Sequence, residues 1–138
     1  RLRHFVRTNL AIGTSPDDNE WVYQILRHEM QDPTPAAQTI IREVMSPRVR
    51  YLCQVIGELT GRAPEDEHVR RCAMSVQAQC YFVQNMVRMK GRLRAAGFAE
   101  HATMSGDDLS ALAEHIVRFS LAGIAMPVEG RSSLPVLE

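Results

Sequence analysis

The side chains best suited to chemistry in this sequence are three cysteines, Cys53, Cys72 and Cys80. Cys72 and Cys80 would lie about 12 Å apart along the axis of an α-helix, at ~1.5 Å of rise per residue. That separation is too large for a disulfide or for a shared metal ion. We therefore interpret the cysteines as buried structural thiols, and a redox-sensing thiol is the alternative.

Glu65 and His68 have the Glu-x-x-His spacing of di-iron carboxylate bundles. Such a site needs two copies of this motif and two further inward carboxylates, and the sequence has one copy. The sequence also lacks Gly-x-Ser-x-Gly, a phosphate-binding loop, a dinucleotide fingerprint and Cys-x-x-Cys. We therefore predict no metal, no cofactor, no catalytic residue and no enzymatic activity.

Several side chains combine apolar area with a hydrogen-bonding group, which is typical of the wall of a ligand pocket. With neighbouring apolar side chains they form our predicted ligand-binding set: Trp21, His28, Met45, Tyr51, Leu52, Met74, Gln79 and Tyr81. The alternative is that they belong to an ordinary hydrophobic core.

Composition limits the possible functions. The 138 residues are 45% hydrophobic and 23% charged, which predicts one soluble globular domain. Lys and Arg balance Asp and Glu at 16 each, which argues against nucleic-acid binding by this chain alone. An odd number of cysteines and the lack of a signal peptide or membrane-spanning run favour a reducing cytoplasm.

Helix start signals recur along the chain, whereas no segment alternates polar and apolar residues as a strand does. Ser-Pro and Thr-Pro pairs at 15, 34 and 46 and the Pro64 turn mark helix starts, and Gly61 suits a C-cap. We predict an all-α bundle of six to seven helices, with a kink or break at Ser46-Pro47. The predicted segments are 1–13, 15–32, 34–45, 46–61, 64–89, a short helix or loop over 90–98, and 105–124, followed by a loose tail.

The stretch from Cys72 to Val87 contains no charged residue, although it is too short and polar to cross a bilayer. At 100° per residue it presents two nearly opposite apolar stripes. One stripe comprises Val69, Cys72, Val76, Gln79, Cys80, Val83, Met86 and Val87, and the other Met74, Ala78, Tyr81 and Phe82. We expect the first stripe to face a partner chain and the second to face the domain core and the pocket, although periodicity alone also allows the reverse.

The last predicted helix has an apolar arc of roughly 160°, wide enough for a core and a neighbour together. Two such helices from each of two chains would form a four-helix bundle with twofold symmetry. The predicted dimer interface is Val76, Cys80, Val83, Val87, Leu112, Ile116, Phe119, Ser120 and Gly123. The alternative is that both helices pack within a monomer.

The chain opens with RLRHFVR, which has the pattern of a helix interior without a capping residue. We therefore expect an N-terminal part to precede this chain.

Three stretches carry a family resemblance: Arg27 to Ala36, Ser75 to Phe82 and His115 to Ile124. In this order they resemble the C-terminal domains of TetR-type transcriptional regulators of the CerR group. Ala78 stands where that group's pattern has Gly, a small change that still permits close packing. The resemblance spans nearly the whole chain.

The resemblance implies a bacterial repressor whose N-terminal helix-turn-helix domain is absent here. Residues 1–13 would end the connecting helix, 15–61 would surround a pocket for a small apolar or aromatic effector, and 64–125 would dimerise. Effector binding would tilt the connecting helix and release operator DNA, which the missing domain would hold. A helical interaction module without a ligand is the alternative function.

Overall fold

The computed structural model describes residues 1–14, 24–25, 28–29, 31–97 and 106–126. Within these residues it contains five α-helices and no strand. They are α1 (Leu2–Thr14), α2 (Pro35–Ile40), α3 (Ser46–Thr60), α4 (Glu67–Ala95) and α5 (Gly106–Ala125). The prediction of an all-α fold is confirmed, and none of the described helices is long and apolar enough to cross a membrane.

Local capping chemistry sets the helix ends. Thr34 caps α2 by accepting a hydrogen bond from the Ala36 amide at 3.2 Å. The Glu29 carboxylate in turn accepts hydrogen bonds from the Thr34 amide and hydroxyl, and these bonds lower the pKa of Glu29. Gly61 ends α3 at a φ of +66°, a left-handed conformation that favours glycine.

The proline at 47 alters the backbone before α3. Pro47 has no amide hydrogen to donate to the preceding turn, and residues Ile41–Met45 form a π-helix there. The helical backbone nevertheless runs without interruption from Pro35 to Thr60. The predicted kink or break is therefore a widened turn, and it separates α2 from α3 without a loop.

The central helix differs from its predicted bounds. Asp66 caps α4 by accepting a hydrogen bond from the His68 amide at 2.8 Å, so the helix begins after Pro64 and Glu65. It continues to Ala95, so most of the segment predicted as a short helix or loop belongs to α4. Most of the helix predicted over 15–32 and the predicted tail lie outside the described residues.

The hydrophobic core lies between α1, α3, α4 and α5. Its largest completely buried side chains come from three of these helices: Val6, Leu52, Ile56, Val69, Val76 and Cys80. The α5 helix adds Ala113, Ile116 and Val117, and its Glu114 carboxylate pairs with Arg7 of α1 at 2.9 Å. These contacts join α1 to the long α4–α5 pair, so α1 is an integral part of the domain.

Candidate functional site

A cavity of about 380 Å³ lies where the π-helical turn, the start of α3 and the middle of α4 meet. Its described lining is mainly apolar and includes one residue of α1. The lining residues are Asn9, Val44, Met45, Arg48, Val49, Ala73, Met74, Gln77, Ala78, Tyr81, Gln84, Asn85 and Arg88. The volume is within the range of small-molecule sites, about 300–1,000 Å³.

Three of the predicted ligand-binding residues line this cavity, namely Met45, Met74 and Tyr81. All three are well exposed, Met74 to 71%. A flexible thioether and a phenol ring at the mouth of a cavity can adapt to the shape of an apolar guest. The structure thus brings these residues together at one site, and their role in binding a ligand stays a prediction.

The cavity wall contains four side-chain amides, those of Asn9, Gln77, Gln84 and Asn85. Gln84 is buried and donates a hydrogen bond from Nε2 to the Asn9 carbonyl oxygen at 2.7 Å. This bond joins the cavity wall on α4 directly to α1. The Oε1 atom of Gln77 is buried and has no hydrogen-bond partner in the described part of the structure. A buried acceptor without a partner is unfavourable, so Gln77 is suited to receive a donor from a ligand or from water.

The charged groups of the described lining are two arginines, Arg48 and Arg88, and no carboxylate is among them. Arg48 is half-buried, and its side chain has no ion pair or hydrogen bond within the described structure. Arg88 has a polar or electrostatic partner. The cavity therefore offers an apolar surface with positive charge at its edge.

A second cavity of about 360 Å³ lies between α1 and the start of α3. Tyr51, another predicted ligand-binding residue, lines this cavity, and its ring centroid is 6.2 Å from that of Phe5. Asn9 and Arg48 line both cavities. A ligand that displaced Asn9 or Arg48 would therefore change the shape of both cavities.

The other four predicted ligand-binding residues either line neither cavity or lie outside the described residues. Leu52 is completely buried in the core, because it lies on the side of α3 that packs against α4. Gln79 lies near α5, and its Nε2 is 3.4 Å from the Ser120 hydroxyl. His28 is exposed and lines neither cavity, and Trp21 lies outside the described residues.

The first stripe of α4 has a role different from the one expected, whereas Met74, Ala78 and Tyr81 of the second stripe line the cavity. Val76, Cys80 and Val83 are at most 4% exposed, because they pack against the core of their own chain and are not available to a partner. Ile116 and Ser120 of α5 are buried in the same way, and Val87 and Leu112 are half-buried against this core. These seven residues are therefore wholly or partly buried within one protomer.

An apolar surface stays open along α4 and α5, and we call it the outer face. Its most exposed members are Phe82 at 63%, Met89 at 44%, Phe119 at 65% and Met126 at 67%. Gly123 also belongs to it, and a Cβ added there would meet nothing within 4 Å. Phe82 is three residues from Gln79, and Phe119 adjoins Ser120, so the outer face borders the contact between these two helices.

The cysteines have no disulfide or metal partner among the described residues. Burial raises the pKa of the Cys53 and Cys72 thiols and raises that of Cys80 to about 11. A thiol with a raised pKa stays protonated at neutral pH, and the protonated form is a poor nucleophile. These directions favour the structural interpretation of the cysteines over the redox-sensing one.

The pocket residues absent from the predicted set are mostly polar, above all Asn9, Arg48, Gln77, Gln84 and Arg88. Three of them form a ridge of polar side chains between the two apolar stripes of α4, namely Gln77, Gln84 and Arg88. A polar ridge between two apolar stripes was therefore the signal available in the sequence. Nothing in the sequence distinguishes Asn9 or Arg48 from exposed polar residues of their helices.

A model of a known family matches residues 1–124, which include the cavity and most of the outer face. The family is described as the C-terminal domain of the HTH-type transcriptional dual regulator CecR. No curated protein and no solved structure gave a match. The finer assignment to the CerR group is not tested by this match and stays a prediction.

Proposed function

This chain belongs to the family of CecR C-terminal domains, and from this premise we propose that it senses a small effector and dimerises for a TetR-type transcriptional regulator. The effector would occupy the cavity between the π-helical turn, α3 and α4. One observation carries this proposal: the cavity wall is hydrogen-bonded through Gln84 to Asn9 of α1. A ligand that displaced Gln84 would therefore act directly on α1.

In this proposal α1 is the end of the helix that leads to a DNA-binding helix-turn-helix domain. The α1 helix is held by the core and by Arg3 and Arg7, which pair with Glu114 at 3.0 and 2.9 Å. A change at the cavity would move α1 relative to α5 and alter the spacing of two recognition helices. Binding to operator half-sites depends on that spacing, about 34 Å, so the effector would release a bacterial repressor from DNA in the cytoplasm.

Dimerisation would use the outer face. Phe82 and Phe119 are more than 60% exposed, and aromatic side chains contribute strongly to protein interfaces. The open space at Gly123 would allow a partner helix to approach closely. Two copies of α4 and α5 would then form a four-helix bundle, with the outer face in place of the stripe predicted from sequence.

Filling the cavity tests the effector site. Ala78 is exposed in the lining, so Ala78→Trp should occupy part of the space without disturbing the core. Ala111→Trp is the matched control, because Ala111 is exposed on α5 and is not part of the lining. A thermal-shift screen of small apolar and aromatic compounds should find ligands for the wild-type chain and the control, with weaker shifts for Ala78→Trp.

Two results would contradict the proposal. Ligands that stabilise Ala78→Trp as well as the control would show that they bind elsewhere. If no compound shifted the wild-type chain while light scattering gave a dimer, the structural interaction module without a ligand would be favoured. A strict monomer at micromolar concentration would overturn the proposed dimer.

A further inference from the structure

We propose that the effector is an amphipathic organic monoanion, whose carboxylate pairs with Arg48 while its apolar part lies against α4. This inference rests on the proposed function of the cavity and adds the chemical class of its ligand. It is carried by the arrangement of charge around the cavity.

Arg48 is the side chain that would bind the carboxylate of the ligand. Six of the 13 described arginines pair with a carboxylate, as Arg1 does with Glu58 and Arg62 with Asp66. Five others have no such pair but are exposed to solvent: Arg50, Arg70, Arg92, Arg94 and Arg118. Arg48 has no such partner in the described structure, although it is half-buried at the point where the two cavities meet. A partly desolvated guanidinium without an anion is unfavourable, and it binds a carboxylate through two parallel hydrogen bonds.

The rest of the described lining supports a negative ligand group. It contains no Asp or Glu, so no carboxylate of the described lining competes with a ligand or repels it. Glu43 lies close in sequence, but it pairs with Arg42 at 3.0 Å and does not line the cavity. Arg88 adds a second positive charge to the lining and already has a polar or electrostatic partner.

The other lining groups indicate the remainder of the ligand. Val44, Met45, Val49 and Met74 form an apolar surface, which would leave a polyphosphate or a sugar poorly solvated. The buried Oε1 of Gln77 has no partner, so a hydroxyl or N–H group of the ligand would satisfy it. One negative charge on an aromatic or aliphatic body therefore fits better than a multiply charged ligand.

Matched probes can separate charge from shape. We would titrate the chain calorimetrically with 2-naphthoate, its methyl ester and 2-naphthylmethylamine, and with octanoate, methyl octanoate and octylamine. In each series we expect the carboxylate to bind at least about tenfold more tightly than the ester, and the amine to bind most weakly. A tenfold preference is the size expected for one partly buried charge-assisted contact.

Variants assign the preference to one residue. Arg48→Gln should reduce the affinity for the carboxylate to that for the ester and leave the ester unchanged. Arg50→Gln is the matched control, since Arg50 is exposed on the same helix and outside the lining. Arg48→Met keeps the apolar part of the arginine side chain, so it provides a second test if Arg48→Gln folds poorly.

Each result supports or overturns a distinct claim. Equal binding of acid and ester by the wild-type chain would overturn the anionic ligand while leaving the cavity as an effector site. A carboxylate preference that survives in Arg48→Gln or Arg48→Met would overturn the role of Arg48. Failure of all six probes to bind would count against the cavity itself and so against the proposed function as well.

Discussion

The apolar sides of the α4 helix differ in what covers them. On the inner side, Val69, Val76 and Cys80 are at most 1% exposed and pack against α1, α3 and α5. On the other sides, Met74 and Tyr81 border the cavity, and Phe82 lies on the outer face at 63% exposure. The same uncharged stretch of sequence thus supplies a core, a cavity wall and an open surface.

The apolar composition of a helix indicates how much of its surface avoids water, but it does not indicate which neighbour covers that surface. Burying apolar area contributes about 25 cal/mol per Å², whether the partner is a helix of the same chain, a ligand or a second chain. The inner side contributes to folding of one protomer. The exposed sides contribute only when something binds, so substitutions on them should change function before they change stability.

The largest expected effect comes from a charge on the inner side. Val76→Asp places a carboxylate in the core without a partner, which should cost more than about 4 kcal/mol of unfolding free energy. Met74→Asp introduces the same charge two residues earlier, where the side chain is 71% exposed. It should lower the unfolding free energy by less than about 0.5 kcal/mol. Urea unfolding followed by circular dichroism measures both, and equal losses would contradict the contrast between the sides.

A smaller effect on the inner side depends on pH. Burial raises the pKa of Cys80 from 9.0 to about 11, so the folded chain holds this proton more tightly than the unfolded chain does. The stability that this contributes is complete below pH 9 and is lost as the pH rises toward 11, by about 3 kcal/mol at most. Cys80→Ala should lose less unfolding free energy than wild type over this pH range, whereas parallel pH profiles would refute the prediction.

Substitutions on the outer face should weaken dimerisation. Phe82→Asp and Phe119→Asp should each leave the folded protomer intact and raise the dimer dissociation constant at least about 100-fold. Met74→Asp introduces the same charge on the cavity side and should leave the dimer unchanged. Light scattering over a dilution series gives the constants, and a dimer that tolerates both Phe variants would place the interface elsewhere.

The smallest expected effect concerns the cavity wall. Met74→Ala should weaken the binding of an apolar ligand about tenfold, because it removes contact area at the mouth of the cavity. Its unfolding free energy should stay within about 0.5 kcal/mol of wild type, since the side chain is mostly exposed without ligand. Calorimetric titration and urea unfolding together check this. A loss of stability without a loss of affinity would show that Met74 contributes to folding and not to ligand binding.

Local features of the fold were predictable because they depend on neighbouring residues. Thr34 and Gly61 cap helices as their residue types indicate. The proline at 47 alters the hydrogen-bond pattern of the helix next to it. The extension of α4 to Ala95 was not predicted, because a glycine such as Gly91 disfavours a helix locally and packing overrides such local preferences. The helix also begins later than predicted, because Asp66 provides the cap.

The candidate site was only partly predictable. Met45, Met74 and Tyr81 were identified from side-chain chemistry, and the structure places all three at the cavity. Leu52 and Gln79 have equally suitable side chains, but their helix phase turns one into the core and the other toward Ser120. Asn9 and Arg48 were missed because their place in the cavity depends on how α1 and α3 cross α4.

The sequence alone determined that the chain is helical and that Cys72 to Val87 must avoid water on more than one side. Helix propensity, capping and periodicity are local, so both conclusions follow from residue types and spacing. Only the tertiary structure decided that the Val76 and Cys80 side is the core and the Phe82 side is open. Two opposite apolar stripes are equivalent on an isolated helix, and they become different only when α1, α3 and α5 cover one of them.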